Sequence, residues 1–87
     1  MTAPTAARDR MTAVVREVVD RILPGVVWDG TTGRKHLREL GADSVDRVEI
    51  ILGLIERLGL ERDMAAFGEL PDVDALVDHL LAAEGSR

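Results

Sequence analysis

Apolar residues recur at helical spacing in the first quarter of the chain. They fall mostly three or four positions apart, with charged residues between them, and they are Met11, Val14, Val15, Val18, Val19, Ile22 and Leu23. This spacing places the apolar side chains on one face of an amphipathic helix. The pattern stops at Pro24-Gly25, because proline cannot continue a helix and glycine permits a turn. The sequence therefore predicts a first helix over about residues 6–23, after a flexible tail at residues 1–5.

A long connection without helical periodicity follows, from residue 24 to residue 43. A loop of this length needs contacts with the core to stay ordered in a small domain. A short turn of helix is predicted at residues 34–39. The apolar residues expected to anchor the connection on the core are Val26, Val27, Trp28, Leu37 and Leu40.

The most apolar segment of the chain begins directly after Asp43. Asp43 is a favourable N-cap residue, and Asp46 three positions later completes the pattern of a capping box. Ser44 is then the first residue of a second helix. This helix is predicted to run to about Leu58, because Gly59 supplies the left-handed turn that commonly ends a helix.

The apolar residues of this second helix cover more of its circumference than one core contact requires. At 3.6 residues per turn they span roughly 220°, whereas a surface helix needs about half that arc. The residues expected to face the core are Ile50, Ile51, Leu54 and Leu58. Val45, Val48 and Leu52, here called the outer strip, are expected to stay partly exposed unless the helix is buried on two sides. An exposed apolar strip is typical of a surface that docks onto partner proteins.

The last third of the chain predicts one further long helix. Residues 60–68 are irregular, with a short helical turn expected at residues 63–67 and anchored by Met64 and Phe67. Asp72 is expected to cap a last helix that ends near Gly85, followed by a flexible tail at residues 85–87. Its inner stripe consists of Val73, Leu76, Val77, Leu80 and Leu81. Residues 1–87 are therefore expected to form a single all-α domain.

Composition narrows the functions that this domain can have. The chain has no cysteine, which excludes disulfides, thiolate metal sites and a cysteine nucleophile. The net charge of −5 argues against nucleic-acid binding, and the seven acids of residues 61–87 favour basic partners on that side. No apolar run reaches the length of a membrane span, and the first residues do not resemble a secretory signal. We therefore expect a cytoplasmic location without membrane contact.

Candidates for catalysis are few. His36 and His79 are the only imidazoles, and His79 is expected to be a solvated residue on the acidic last helix. His36 lies in the long connection, within possible reach of Ser44, yet a serine hydrolase also needs an orienting acid and an oxyanion pocket. The carboxylate pairs fit helix starts better than a metal site, and they are Asp43 with Asp46 and Asp72 with Asp74. We assign no catalytic residue and no metal ligand, and hydrolysis through Ser44 and His36 remains an alternative.

The stretch around Ser44 resembles the phosphopantetheine attachment motif of acyl carrier proteins. That motif is Leu-Gly-x-Asp-Ser followed by an apolar residue and a helix with acidic positions. In this chain it is Leu40-Gly41-Ala42-Asp43-Ser44-Val45-Asp46-Arg47-Val48-Glu49-Ile50. The order of the predicted elements over about residues 8–83 is also similar to that of the family. The resemblance implies a small four-helix carrier-protein bundle, with three main helices, a short third helix and a long loop between the first two.

The resemblance also implies the chemistry of the site. Ser44 would be esterified by 4′-phosphopantetheine, which a separate phosphopantetheinyl transferase donates from coenzyme A, and Asp43 would position this attachment site. A helix N-terminus suits the phosphodiester. Acyl groups would then be carried as thioesters by a monomeric protein. The residues that match the family's recognition face for partner enzymes are Val45, Asp46, Val48, Glu49 and Leu52, and Arg47 lies among them.

The residues around and after Ser44 bear on the pathway that such a carrier would serve. Arg47, Arg57 and Arg62 make the face less acidic than in fatty-acid carriers, and Gly41-Ala42-Asp43 departs from the Gly-Gly of peptidyl carriers. Arg47 after Ser-x-Asp is similar to freestanding polyketide carriers, among them the donor carriers of β-branching cassettes, although Val48, Leu52 and Leu54 depart from their pattern. That resemblance implies a ketosynthase partner, or delivery of acetyl units to an enzyme of the 3-hydroxy-3-methylglutaryl synthase type. The alternatives are another discrete type II carrier, of a fatty-acid or hybrid pathway, and an unmodified helical adaptor.

Overall fold

The computed structural model describes residues 4–60, 67 and 70–85. Its three α-helices are Pro4–Ile22 (α1), Ser44–Leu58 (α2) and Val73–Gly85 (α3), and two 3₁₀ turns, Thr32–Arg34 and Leu37–Leu40, lie between α1 and α2. The described residues contain no strand, which confirms the predicted all-α bundle with its long first loop. Residues 63–66 of the predicted short helix, with its anchor Met64, fall outside the described residues.

The first helix begins at Pro4 rather than at residue 6 and ends at Ile22 rather than at residue 23. A proline is tolerated in the first turn, because its missing N–H has no intrahelical acceptor there. Residues 4 and 5 are therefore helical and do not belong to the expected tail. The predicted apolar stripe is confirmed, since its buried members are Met11, Val15, Val18 and Val19.

The core is one aliphatic cluster to which all three helices contribute. α1 packs against both α2 and α3, so that its apolar stripe is covered on two sides. Full burial of a Val, Leu or Ile side chain contributes roughly 1.5–3 kcal/mol each. The fully buried aliphatic residues at the centre are Val15, Val18, Val19, Ile50, Leu54, Val73, Val77 and Leu80.

Polar contacts within the long connection hold it together. Thr32 is buried, and its hydroxyl donates to the carbonyl of Val27 at 3.0 Å and accepts the N–H of Asp29 at 2.9 Å. Further along, the N–H of Val73 at the start of α3 donates to the carbonyl of Lys35 at 3.0 Å. In this segment the sequence predicts one helical turn at residues 34–39, whereas the structure has two 3₁₀ turns, Thr32–Arg34 and Leu37–Leu40.

The predicted anchors near the start of the connection do not all reach the core. Val26 and Trp28 pack against it, and the Nε1–H of Trp28 donates to Asp20 at 2.7 Å on α1. The guanidinium of Arg16 lies 5.6 Å from the centre of the Trp28 ring. Val27 is 72% exposed, so its predicted role as an anchor is wrong. Because its two neighbours turn inward, the side chain between them faces solvent.

His79 is not the solvated surface residue that the sequence predicts. Its ring packs edge-on against Phe67 with the ring centres 4.8 Å apart. Its Nε2 is buried and has no hydrogen-bond partner among the described residues. The acidic side of α3 lies elsewhere, because Asp74 and Asp78 are exposed and pair with Arg8 of α1. An aromatic contact, which the charge pattern of α3 does not indicate, turns His79 towards the bundle.

Candidate functional site

A capping box builds the start of α2. Asp43 has an extended backbone, with φ of −79° and ψ of −174°, and its Oδ1 accepts the N–H of Asp46 at 2.8 Å. In return, Oδ2 of Asp46 accepts the N–H of Asp43 at 3.4 Å. Ser44 is the first residue of the helix and Gly59 ends it with a φ of +64°, both as predicted. The reciprocal cap fixes where the helix begins and therefore where the backbone of Ser44 lies.

The residues before Asp43 lead the chain into this cap. Leu37 is buried and Leu40 packs half-buried against the core, as predicted for both. Gly41 turns the chain with a φ of +105°, a conformation that favours glycine. Ala42 is buried directly after it. Two anchored leucines, a turn and a buried alanine thus connect the exposed start of α2 to the core.

Ser44 is exposed and lies at the edge of a cavity of about 370 Å³ beside α2. The other polar residues that line the cavity are His36, Arg47 and Asp72. The apolar wall consists of Leu37, Val48, Ile51, Phe67, Leu70 and Leu76. These residues come from the connection, from α2 and from the last third of the chain. Sequence reasoning missed the cavity, because no local pattern indicates which distant side chains meet around Ser44.

The helix start also provides a favourable environment for an anion. The first amides of an α-helix have no intrahelical acceptor, and within α2 the capping box satisfies the amide of Asp46. The N–H groups of Ser44 and Val45 have no acceptor among the described residues and can donate to a ligand at this end of the helix. The helix dipole adds partial positive charge at the same place. Phosphate groups bind well in such surroundings.

His36 lines the same cavity but is engaged in a cap of its own. Its Nδ1 accepts the N–H of Arg38 at 2.9 Å, and its own N–H donates to Glu39 at 3.1 Å. A neutral imidazole that accepts through Nδ1 carries its proton on Nε2. The remaining nitrogen is then a donor and not a base for Ser44. The geometry therefore favours a capping role for His36 over the role of a hydrolase base.

The outer strip is exposed, as the helical wheel predicts. Val45 is 64% exposed, Val48 is 46% exposed and Leu52 is 44% exposed. Glu49 is exposed beside them, whereas Asp46 and Arg47 are half-buried. The alternative of a helix covered on both sides is wrong for the described part of the chain. All predicted recognition residues lie together on the first two and a half turns of α2, next to Ser44.

Arg47 differs from several other arginines of the bundle in its partners. Arg8 pairs with Asp74 and Asp78, and Arg57 donates to Glu17 at 2.8 Å. Arg47 makes one long contact, from its Nε to the carbonyl of Asp43 at 3.4 Å, and forms no ion pair with any described carboxylate. Its guanidinium therefore keeps donors available at the cavity.

Other kinds of site find no support in the part of the chain that the structure describes. No group of three or more His, Asp or Glu side chains there is arranged to hold a metal ion. None of the described helices has the length and apolar character needed to cross a membrane.

Comparisons with known proteins agree with the motif. A family model described as a phosphopantetheine attachment site matches residues 10–80. The chain is 30% identical over 73 residues to acyl carrier protein 3 of Ralstonia nicotianae, with 84% of each chain covered. It is 36% identical over 77 residues to acyl carrier protein 3, chloroplastic, of Hordeum vulgare, covering 83% of this chain.

A larger protein also contains a similar segment. The chain is 30% identical over 76 residues, or 87% of its length, to part of a non-reducing polyketide synthase of Penicillium rubens. The match spans 3% of that synthase, and 57% of the Hordeum vulgare protein. No solved structure gives a significant match.

Proposed function

The chain belongs to the acyl carrier proteins, the family defined by a phosphopantetheine attachment site, and from this premise we propose that Ser44 carries the 4′-phosphopantetheine arm. The observation that carries the proposal is the position of Ser44. It is the first residue of α2, it is exposed, and it lies at the edge of an apolar cavity. The chain has one other serine, Ser86, which lies outside the described residues.

The surroundings of Ser44 fit the group that it would hold. The amides and the dipole at the start of α2 stabilise a phosphodiester. The cavity offers apolar surface beside the hydroxyl, and the capping box keeps Asp43 engaged with the backbone of Asp46. In this proposal Asp43 positions the attachment site by fixing the helix start.

The chain's own residues then have simple tasks. In the transfer, the Oγ of Ser44 would form a bond to the phosphorus next to the pantetheine of coenzyme A, the pyrophosphate bond would break, and adenosine 3′,5′-bisphosphate and the hydroxyl proton would leave. No group of the chain acts as a nucleophile afterwards. The attached group supplies a terminal thiol that holds acyl groups as thioesters, a chemistry that this cysteine-free chain lacks. The core contacts of Leu37, Leu40 and Ala42 hold the attachment point in the same position towards each partner enzyme.

We propose that the face around Ser44 is the docking surface for the phosphopantetheinyl transferase and for acyl-processing enzymes. The residues of this face are Val45, Asp46, Arg47, Val48, Glu49 and Leu52. The exposed outer strip supports this assignment, because uncovered aliphatic surface next to the attachment point is best explained by a partner. Binding is expected to be weak and quickly reversible, since a shuttle must leave each enzyme in turn. We further propose a monomer located in the cytoplasm.

An intact-mass measurement tests the attachment site. The protein is incubated with coenzyme A, Mg²⁺ and a broad-specificity phosphopantetheinyl transferase. We expect the mass of one phosphopantetheine group to be added to the wild type and to Ser86→Ala, and none to be added to Ser44→Ala. Addition to Ser44→Ala, or no addition to the wild type with a transferase that modifies a control carrier, contradicts the proposal. If the protein is instead an unmodified helical adaptor, no mass should be added to the wild type.

For the pathway, we propose a polyketide-type carrier that delivers acetyl units to an enzyme of the 3-hydroxy-3-methylglutaryl synthase type. Arg47 beside Ser44 supports this assignment, as does the similarity to a polyketide synthase segment. The acetyl-loaded protein should transfer its acetyl group to a β-ketoacyl acceptor only when that synthase is present. If the synthase leaves the acetyl group in place while a ketosynthase uses the loaded protein, another type II carrier role replaces this one.

A further inference from the structure

Arg47 and Ser44 share one side of α2. They are three residues apart, a spacing that brings two side chains together on the surface of a helix, with Cβ atoms about 5–6 Å apart. Both line the same cavity, and Arg47 is half-buried there. The guanidinium therefore belongs to the immediate surroundings of whatever is attached to the hydroxyl of Ser44.

The position of Arg47 is electrostatically unusual. The positive end of a helix dipole disfavours a cation, and Arg47 lies near the start of α2. The carboxylates of Asp43 and Asp46 accept each other's backbone amides, and neither forms an ion pair with Arg47. Among the residues that the structure describes, Arg47 reaches only the carbonyl of Asp43, at a length near the limit of a hydrogen bond. A cation held here with no ion-pair partner in the described part of the chain points to an anion that binds later.

A phosphodiester on Ser44 supplies that anion. It adds a negative charge next to two carboxylates, and this repulsion is relieved by a nearby cation. Guanidinium is the side-chain group that best matches the oxygens of a phosphate, because its planar N–H donors bind two oxygens at once. Of the described residues that line the cavity, Arg47 is the one that carries a permanent positive charge.

We propose that Arg47 is a positioning residue, which ion-pairs with the phosphodiester on Ser44 and holds the base of the arm at the mouth of the cavity. This rests on the proposed attachment at Ser44. Arg47 would then contact the phosphodiester of its own chain, in addition to lying on the proposed docking face.

Nuclear magnetic resonance of the protein before and after modification tests the contact. In the wild type, we expect the Nε–H signal of Arg47 to shift when phosphopantetheine is added. We expect the ³¹P signal of the modified protein to move in Arg47→Gln and to take an intermediate position in Arg47→Lys, which keeps the charge but loses the planar donors. The shift should shrink as salt rises from about 0.1 M to about 1 M, because the screening length falls from about 10 Å to about 3 Å.

Arg38→Gln is the matched control. It removes the same charge from an exposed residue of the neighbouring 3₁₀ turn that does not line the cavity. We expect its ³¹P signal to equal that of the wild type. An Arg47 signal that does not respond to modification, or equal ³¹P shifts in Arg47→Gln and Arg38→Gln, overturns the inference.

The failure of this inference is distinguishable from failure of the proposed function. If the mass of the wild type does not increase at all, Ser44 is not an attachment site and both proposals are wrong. If the mass increases and Arg47 does not respond, only the ion pair is wrong. In that case the transferase rate decides the role of Arg47. If Arg47→Gln is modified more slowly than the wild type but has the same ³¹P signal, Arg47 acts in partner docking alone.

Discussion

The two faces of α2 carry the same kinds of aliphatic side chain but have opposite surroundings. On the inner face Ile50 and Leu54 are completely buried, whereas on the outer face Val45 and Leu52 remain largely exposed. The inner face is covered because α1 packs against it, and the same core continues into α3. No helix of the described residues covers the outer strip in this way, and the strip begins directly beside Ser44.

This difference separates the residues that stabilise the fold from the residues that are available for binding partner proteins. The inner residues belong to the aliphatic core, whose burial is the main favourable contribution to folding in a cysteine-free chain. The outer strip contributes little to stability and leaves apolar surface in water, which is best explained by transient partners. Substitutions on the two faces should therefore have separable effects, one on unfolding and one on docking.

The largest effect is expected from truncation of the inner face. Leu54→Ala should lower the free energy of unfolding by about 2–5 kcal/mol, because it removes buried methyl groups and leaves a cavity. Leu52→Ala, the same change on the outer face, should stay within about 0.5 kcal/mol of the wild type. Urea denaturation followed by circular dichroism measures both. Equal losses in the two variants would mean that the outer strip is part of the core.

A charge on the outer strip should produce the next largest effect. Leu52→Asp is expected to lower kcat/KM of the phosphopantetheinyl transferase about tenfold, or about 1.4 kcal/mol, because a carboxylate must be desolvated at the interface. Val27→Asp is the control, since Val27 is even more exposed but lies in the long connection. The kinetics are measured with coenzyme A at saturation. If Val27→Asp slows the reaction as much as Leu52→Asp does, docking is not confined to the outer strip.

Removal of the cap at the boundary between the faces should have a smaller effect on stability. Asp43→Ala is expected to cost about 1 kcal/mol, since it deprives the Asp46 amide of its acceptor. Asp29→Ala removes a comparable bond, to the amide of Thr31 in the long connection, at a residue that does not line the cavity, and should cost a similar amount. Only Asp43→Ala should also slow modification of Ser44. Equal modification rates in the two variants would reduce Asp43 to a purely structural cap.

The smallest effect concerns the ion pair that joins the exposed edges of α1 and α2. The hydrogen bond and charge of Arg57 lower the pKa of Glu17 below its usual range. Because the pKa is lowered on folding, the stabilisation is fully present above the ordinary glutamate pKa of about 4.3 and is lost as pH falls through the lowered value. Arg57→Gln should therefore differ slightly from the wild type at pH 7, and the difference should vanish in acid.

Thermal unfolding from pH 7 to pH 2 measures this, with Arg38→Gln as a variant of equal charge. We expect the difference in thermal stability between Arg38→Gln and the wild type to stay the same as the pH falls, whereas the difference for Arg57→Gln should disappear. The same convergence in both variants would indicate a general effect of net charge instead of the pair between Arg57 and Glu17.

Local patterns were sufficient for the helices and for the placement of Ser44. The capping box at Asp43 and Asp46 and the turn at Gly59 depend on neighbours within a few residues, and all of them are present as predicted. The exposure of the outer strip also follows from helical periodicity. By contrast, Val27 and His79 were predicted wrongly, because burial depends on partners from other parts of the chain.

The sequence by itself determined that an exposed serine begins the second helix of an all-α carrier fold, because caps, turns and apolar periodicity act over short stretches of chain. Only the tertiary structure decided what surrounds that serine. Leu37, Ile51 and Leu76 meet in one cavity, and Arg47 lies at this cavity without an ion pair among the described residues. These positions depend on how separate helices pack, and packing joins residues that no local pattern connects.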